Sequence, residues 1–335
     1  MTDDPAAHGD EVLEAYQRAA EVGGRAPSVH NTQPWRWLAT RSGLELRADR
    51  SRQLHAADPD GRLLTISCGA ALHHARLALH AAGWVPQVAR MPDARSADAL
   101  AEITVSGHGP TTAQQRRLFD EIDIRHTDRR PTVERKVPHD ALQLIRQAAV
   151  DEGAGLHWLA EPDLDDLAVA AARANEIGLA DPDQRAEMDY WVGGTRPTRT
   201  GVPSDAVPQS APQTDVPGRD FGRPGTLDAG HGHARSAVYG LLFTSGDQPG
   251  DWLRAGEALS ACWLKATDLG VAVLPLSSVV EVPATREIVH RMLAGAGYPM
   301  LVLRFGLADQ DQAPVPGTPR LPAERTTWPG QIPQP

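Results

Sequence analysis

Two short strings in this sequence gather polar and charged side chains at spacings that could bind a ligand. The first is Ala26-Pro27-Ser28-Val29-His30-Asn31-Thr32-Gln33-Pro34-Trp35. Its prolines stiffen a turn that offers Ser28, His30, Asn31 and Gln33 as donors and acceptors. A ligand-binding loop and an ordinary helix end both fit that composition. The second is Arg125-His126-Thr127-Asp128-Arg129-Arg130. Arg125, Thr127 and Arg129 alternate, so an extended segment would point all three one way, where guanidinium and hydroxyl groups can grip one phosphate. The plainer alternative is a solvated charge run paired with Asp123 and Asp128.

The elements around these strings are written twice. Gly69-Ala70-Ala71-Leu72 through Leu77 to Gly83 aligns without a gap on Gly256-Glu257-Ala258-Leu259 through Leu264 to Gly270. Each reads as an amphipathic helix closed by a left-handed glycine. Upstream, Ala19-Ala20 and Trp37-Leu38-Ala39 are echoed by Ala148-Ala149 and Trp158-Leu159-Ala160, and downstream the strand-like runs 101–105 and 300–305 match. Each copy therefore reads helix, strand, helix, strand, the first over 1–120 and the second over 121–335. The second copy alone carries a segment over about 181–233, rich in Gly, Pro, Ser, Thr and Asp and without a hydrophobic period. Its length, with Tyr190, Trp191 and Phe221 as apolar anchors, favours a lid over a plain connection.

Composition narrows the rest. A chain of 335 residues with 41% hydrophobic content can bury a large core. A formal charge of −10 argues against nucleic-acid binding, which needs a basic stripe. The acidic start Met1-Thr2-Asp3-Asp4 leads into no apolar stretch, and no segment approaches the roughly 18–20 apolar residues of a membrane span, so a cytoplasmic protein is expected. Cys68 and Cys262 sit among Ala and Leu as inert core thiols. His73, His74 and His80 lack a second ligand cluster and read as core or surface histidines rather than a metal site. No Gly-x-Gly-x-x-Gly after a strand, Walker loop or Gly-x-Ser-x-Gly elbow is found.

The string from Ala26 to Trp35 resembles the Ala-Pro-Ser-x-x-Asn-x-Gln-Pro-Trp signature of the flavin-dependent nitroreductase family. Arg125-His126-Thr127-Asp128-Arg129 resembles that family's Arg-x-Ser/Thr-x-Arg/Lys phosphate grip. The long layout, with Ile66-Ser67-Cys68-Gly69-Ala70-Ala71-Leu72 in the first half, is similar to the Acg branch of actinobacterial FMN-binding proteins. The resemblance implies an α+β fold repeated in tandem, each copy an antiparallel-dominated sheet flanked by helices. It implies FMN held by Arg125, Thr127 and Arg129 from the second copy and by Pro27, Ser28 and Asn31 from the first. Pro275-Leu276-Ser277-Ser278 resembles the family loop that offers backbone N–H to flavin N5, which brings in Ser277 and Ser278. Arg320 in Pro319-Arg320-Leu321-Pro322 resembles a C-terminal phosphate arginine.

A mirror-image site would need an arginine grip before Glu11, where residues 1–10 contain no arginine. It would also need a Pro-Ser-x-x-Asn loop after Ala149, where Asp151-Glu152-Gly153-Ala154-Gly155-Leu156-His157 stands instead. One FMN per chain follows. The implied activity is a ping-pong reductase that takes electrons from NAD(P)H and passes them to a nitroaromatic, quinone or other small acceptor. The alternative is a flavin-sequestering protein whose lid shuts out both. A chain that carries both halves fits a monomer as well as a homodimer.

Overall fold

The computed structural model describes residues 5–193, 199–230, 232–309, 311 and 315–328. The first half runs α1 (Pro5–Gly23), β1 (Trp35–Ala39), β2 (Leu44–Ala48), α2 (Arg62–Ala81), β3 (Trp84–Arg90), β4 (Ala99–His108) and α3 (Ala113–Asp120). The second runs α4 (His139–Asp151), β5 (Gly155–Trp158), α5 (Glu161–Ala180), α6 (Pro182–Trp191), β6 (Val238–Thr244), α7 (Pro249–Asp268), β7 (Val271–Leu276), α8 (Ser278–Glu281), α9 (Pro283–Met292), β8 (Tyr298–Leu307) and β9 (Thr327–Trp328). The fold is α+β, as expected. One sheet has the order β3-β4-β2-β1-β9 and the other β5-β6-β8-β7. Read from its other edge, the second is β7-β8-β6-β5, so the two sheets share a strand order. Their pairings are antiparallel except for β9, which lies parallel to β1 and carries the end of the second half onto the first sheet.

Helices α2 and α7 join the halves. Both are buried around most of their circumference, as a helix enclosed on all sides must be. They touch at Gly69 and Gly256, the two glycines that the sequence alignment of these helices sets on one another. A Cβ on Gly69 would lie 2.0 Å from the Leu253 carbonyl oxygen, and one on Gly256 would lie 1.9 Å from that of Ile66. Only a residue without a side chain permits this approach. Each helix also lends residues to the other half's core: Leu63 and Ile66 of α2 pack with the second half, Leu253 and Leu264 of α7 with the first.

Beside this crossing lies an ionic network. Glu257 of α7 is fully buried and accepts from Arg76 Nη1 at 2.7 Å and from Arg90 Nε and Nη2 at 2.6 and 2.9 Å. Arg76 also donates to Glu152 at 2.6 Å. His73 is buried there too, with its Nδ1 2.9 Å from Ser260 Oγ, and burial brings it down to about 4. Cys68 and Cys262 are buried, and burial raises both thiols, Cys262 to about 12, which keeps them protonated and unreactive. Among the described residues no helix is long and apolar enough to cross a membrane.

The segment between β5 and β6 differs from the sequence expectation. Where β1 and β2 are joined by a tight turn over 40–43, this connection holds α5 and α6. Polar composition concealed α6, although Asp181 caps it by accepting from the N–H of Asp183 and Gln184, with Pro182 in its first turn. Trp191 and Phe221 are buried in a small cluster with Leu54, Val192, Val202, Ala206 and Val207. Tyr190, expected as an anchor, is 61% exposed and meets the Trp191 ring edge-on. Residues 194–198 and 231 of this connection lie outside the described residues.

Asp58, in the turn ahead of α2, satisfies the first turn of that helix, its Oδ2 accepting from Leu64 N at 2.9 Å. The side chain is buried, and burial pushes it up to about 7. A carboxyl raised above its unfolded value stabilises the fold at low pH, and that contribution fades as pH rises through 7. Asp58→Asn, which keeps an acceptor for Leu64, should therefore raise the melting temperature more at pH 8 than at pH 5. The difference is on the order of 2 kcal/mol, and equal shifts at the two pH values would contradict it.

Candidate functional site

A cavity of about 1170 Å³ gathers the two strings. Pro27, Ser28 and Asn31 line it from the loop between α1 and β1, and Arg125, Thr127 and Arg129 from the segment ahead of α4. Ser277 lines it after β7, and Arg320 from the strap that follows β8. Ser278 is not among the lining residues and is buried at the start of α8.

The arginines share a property that the sequence did not show. Among the described residues none of Arg125, Arg129 and Arg320 has a carboxylate within ion-pair distance. Arg125 is buried, lies 4.6 Å from the Trp263 ring centre, and leaves its Nε without a partner. Burial and the charge of Arg320 bring it down to about 9. Burial brings Arg129 and Arg320 to about 10. Arg129 donates to the Ala206 carbonyl at 2.9 Å and lies 5.4 Å from the Phe221 ring centre. Removing cations from water without a directly paired carboxylate is expensive, which favours an anion in the cavity.

The first loop is held by its own polar groups. His30, Asn31 and Gln33 have φ of 45°, 53° and 54°, left-handed values that cost a non-glycine residue about 1–3 kcal/mol. Ser28 Oγ accepts from Gln33 N at 2.9 Å, and Ser67 Oγ accepts from Val29 N at 3.2 Å. Asn31 Nδ2 donates to the carbonyls of Gly201 and Pro319 at 3.0 Å each, while its Oδ1 accepts from Arg320 Nη1 at 3.1 Å. Ser28 and Asn31 thus hold the cavity wall together. His30 is kept neutral by burial, with the charges of Arg219 and Arg129 adding to the effect.

Sequence reasoning missed several residues. Trp263 forms the floor under Arg125. Arg304 of β8 donates to the carbonyls of Asp128 and Arg130, the latter at 2.6 Å, and so fixes the arginine segment from behind. A lone arginine in the apolar run 300–305 was its signal. Arg219 lines the cavity from the long connection and pairs with buried Glu281 and with Ser277 Oγ.

No family model matches the chain. It is 37% identical over 316 residues to a Mycobacterium tuberculosis H37Rv protein named as a candidate NAD(P)H nitroreductase, covering 92% of this chain and 90% of that one. It is 33% identical over 314 residues to the candidate NAD(P)H nitroreductase acg of the same strain, covering 93% and 94%. The chain belongs to the Acg branch of the nitroreductase-like proteins. Solved structures give weaker likenesses. A Bacteroides fragilis nitroreductase with bound FMN is 14% identical, covering 59% of this chain and 91% of that one at a TM-score of 0.35. The FMN- and NADPH-dependent nitroreductase NfnB of a Sphigopyxis strain is 17% identical, covering 59% and 93% at 0.37. At that overlap the structural likeness carries no functional weight. In this Acg-type chain, then, both strings that resemble the family line one cationic cavity, with Trp263 as its aromatic floor and the long connection along one side.

Proposed function

We propose that the chain binds one FMN in this cavity and is an NAD(P)H-dependent oxidoreductase of nitroreductase type, using nitroaromatic or quinone-type acceptors. Dinucleotide and acceptor would enter the same cavity in turn. The convergence of Arg125, Arg129 and Arg320, none of them with a carboxylate within ion-pair distance among the described residues, carries this proposal. A phosphate supplies the missing charge through charge-assisted bonds, and the unpartnered Nε of Arg125 is a donor such a ligand would satisfy. We assign the phosphate to Arg125, Arg320 and the Thr127 hydroxyl, and the polar ring edge to Arg129 and the Ser277 segment. When bound, FMN supplies the hydride chemistry, while the protein supplies binding, orientation and the exclusion of water. We read the two halves as a tandem duplication in which one pair of motifs is intact, in a cytoplasmic protein. The relatives' names support the redox assignment.

Denatured protein should release one FMN per chain, and anaerobic NADPH should bleach its visible absorbance. Two FMN, or FAD instead, would overturn the single-site assignment. Arg125→Ala and Arg129→Ala should each weaken FMN by roughly 1.5–3 kcal/mol, read as faster flavin loss on dialysis. Undiminished affinity in both variants would sink the site.

A second reading has its own observation. The long connection lines the cavity and is bonded to the site at Arg129–Ala206 and Asn31–Gly201. A segment fastened in this way would act as a lid that sequesters FMN. Replacing 199–227 by a short Gly/Ser linker should then speed flavin loss and dithionite bleaching. If NADPH bleaches the shortened protein and not the intact one, sequestration is the function; rapid bleaching of intact protein, followed by reoxidation with a quinone, establishes the reductase.

A further inference from the structure

Gln33 is fully buried, and its side-chain amide is divided between two distant segments. Its Nε2 donates to the Arg199 carbonyl of the long connection at 3.0 Å, and its Oε1 accepts from Leu321 N of the C-terminal strap at 2.8 Å. Two residues earlier Asn31 repeats the arrangement. Its amide reaches Gly201 and Pro319, each two residues from the segments' contacts with Gln33, and the Asn31 carbonyl accepts from Gly201 N at 3.1 Å. The left-handed backbone at both residues accompanies this arrangement, in which both carboxamides reach the two segments. Buried bonds of this kind have no water to replace them, so losing one partner strands the other.

Leu321 adjoins Arg320, whose guanidinium enters the cavity and receives its only side-chain acceptor among the described residues from Asn31. Fixing the Leu321 amide therefore fixes the chain one residue from that charge. We propose that Gln33 is a positioning residue: it clasps the strap and the long connection to the loop together, so that setting Arg320 for a phosphate-bearing ligand and seating the connection beside the cavity are one event. The ligand half of this proposal rests on the FMN assignment above; the clasp is a property of the protein alone.

The test compares FMN with riboflavin, which lacks the phosphate, by flavin-fluorescence quenching on full-length apoprotein. Gln33→Met keeps the length of the side chain and removes its hydrogen bonds, those to both segments included. It should weaken FMN about tenfold or more, equivalent to about 1.4 kcal/mol, and riboflavin by much less. In an Arg320→Met background the same substitution should cost FMN no more than it costs riboflavin, because the phosphate-dependent loss of both variants runs through one contact. Equal losses for FMN and riboflavin, or additive losses with Arg320→Met, would mean general damage and overturn the proposal. Hydrogen exchange of the Leu321 amide in ligand-free protein judges the clasp separately: Gln33→Met should accelerate it, and unchanged exchange overturns the clasp. A wild-type protein that fails to prefer FMN over riboflavin overturns the FMN assignment and the ligand half with it, whatever the exchange shows.

Discussion

Glu257→Ala should lower the stability of the chain by about 3–5 kcal/mol, the cost of breaking a buried ion pair by deleting one partner. Glu257 is the one acceptor that Arg76 and Arg90 share. Without it two guanidinium groups, each less than a quarter exposed, face one another with, among the described residues, only Glu152 to balance them. Glu257→Gln retains an acceptor but no charge and should recover only part of the loss. A urea titration followed by tryptophan fluorescence measures both, and a midpoint shift within error of zero for Glu257→Ala would show that the network is replaceable by solvent.

Gly256→Ala should be nearly as damaging, at about 3 kcal/mol or more. The added carbon would fall 1.9 Å from the Ile66 carbonyl oxygen and 2.8 Å from Gly69 Cα. Both are backbone atoms, so neither can rotate away. The helices must separate, and with them the two cores that α2 and α7 stitch together. Gly69→Ala meets the same obstacle from the other side. Once the helices have parted, the second methyl has room, so the double variant should fall well short of additivity. Strict additivity in calorimetry would mean that the two glycines act independently and that the crossing is not one contact.

What the sequence disclosed was local or repeated. Arg125, Thr127 and Arg129 could be read as a group because alternation needs only neighbours, and Gly69 could be set on Gly256 because the helices around them match. Asn31 was legible as part of a motif but not as a clasp. Its partners Gly201 and Pro319 lie 170 and 288 positions away, with nothing local to announce them. The carboxylate-free surroundings of Arg125 were hidden for the same reason. Asp123 and Asp128 looked like its partners, yet they pair with Arg25 and Arg130. The start of α6 was written in Asp181 and Pro182 and overlooked because its mean composition resembles a loop.

The ungapped match that sets Gly69 on Gly256 and Gly83 on Gly270 also sets Arg76 on Trp263 and Arg90 on Ser277. In one half these positions hold the aromatic floor and rim of a cavity; in the other they hold two cations closed over Glu257. In a symmetric dimer of identical chains every substitution appears twice, so a residue that plugs one pocket plugs both. Two copies in one chain are released from that constraint. On the duplication reading, one pocket wall was free to become a salt-bridged strut while its twin kept a tryptophan for a ligand. The asymmetry is then a division of labour closed to a dimer of identical chains, with rigidity invested on one side of the Gly69–Gly256 crossing and recognition on the other.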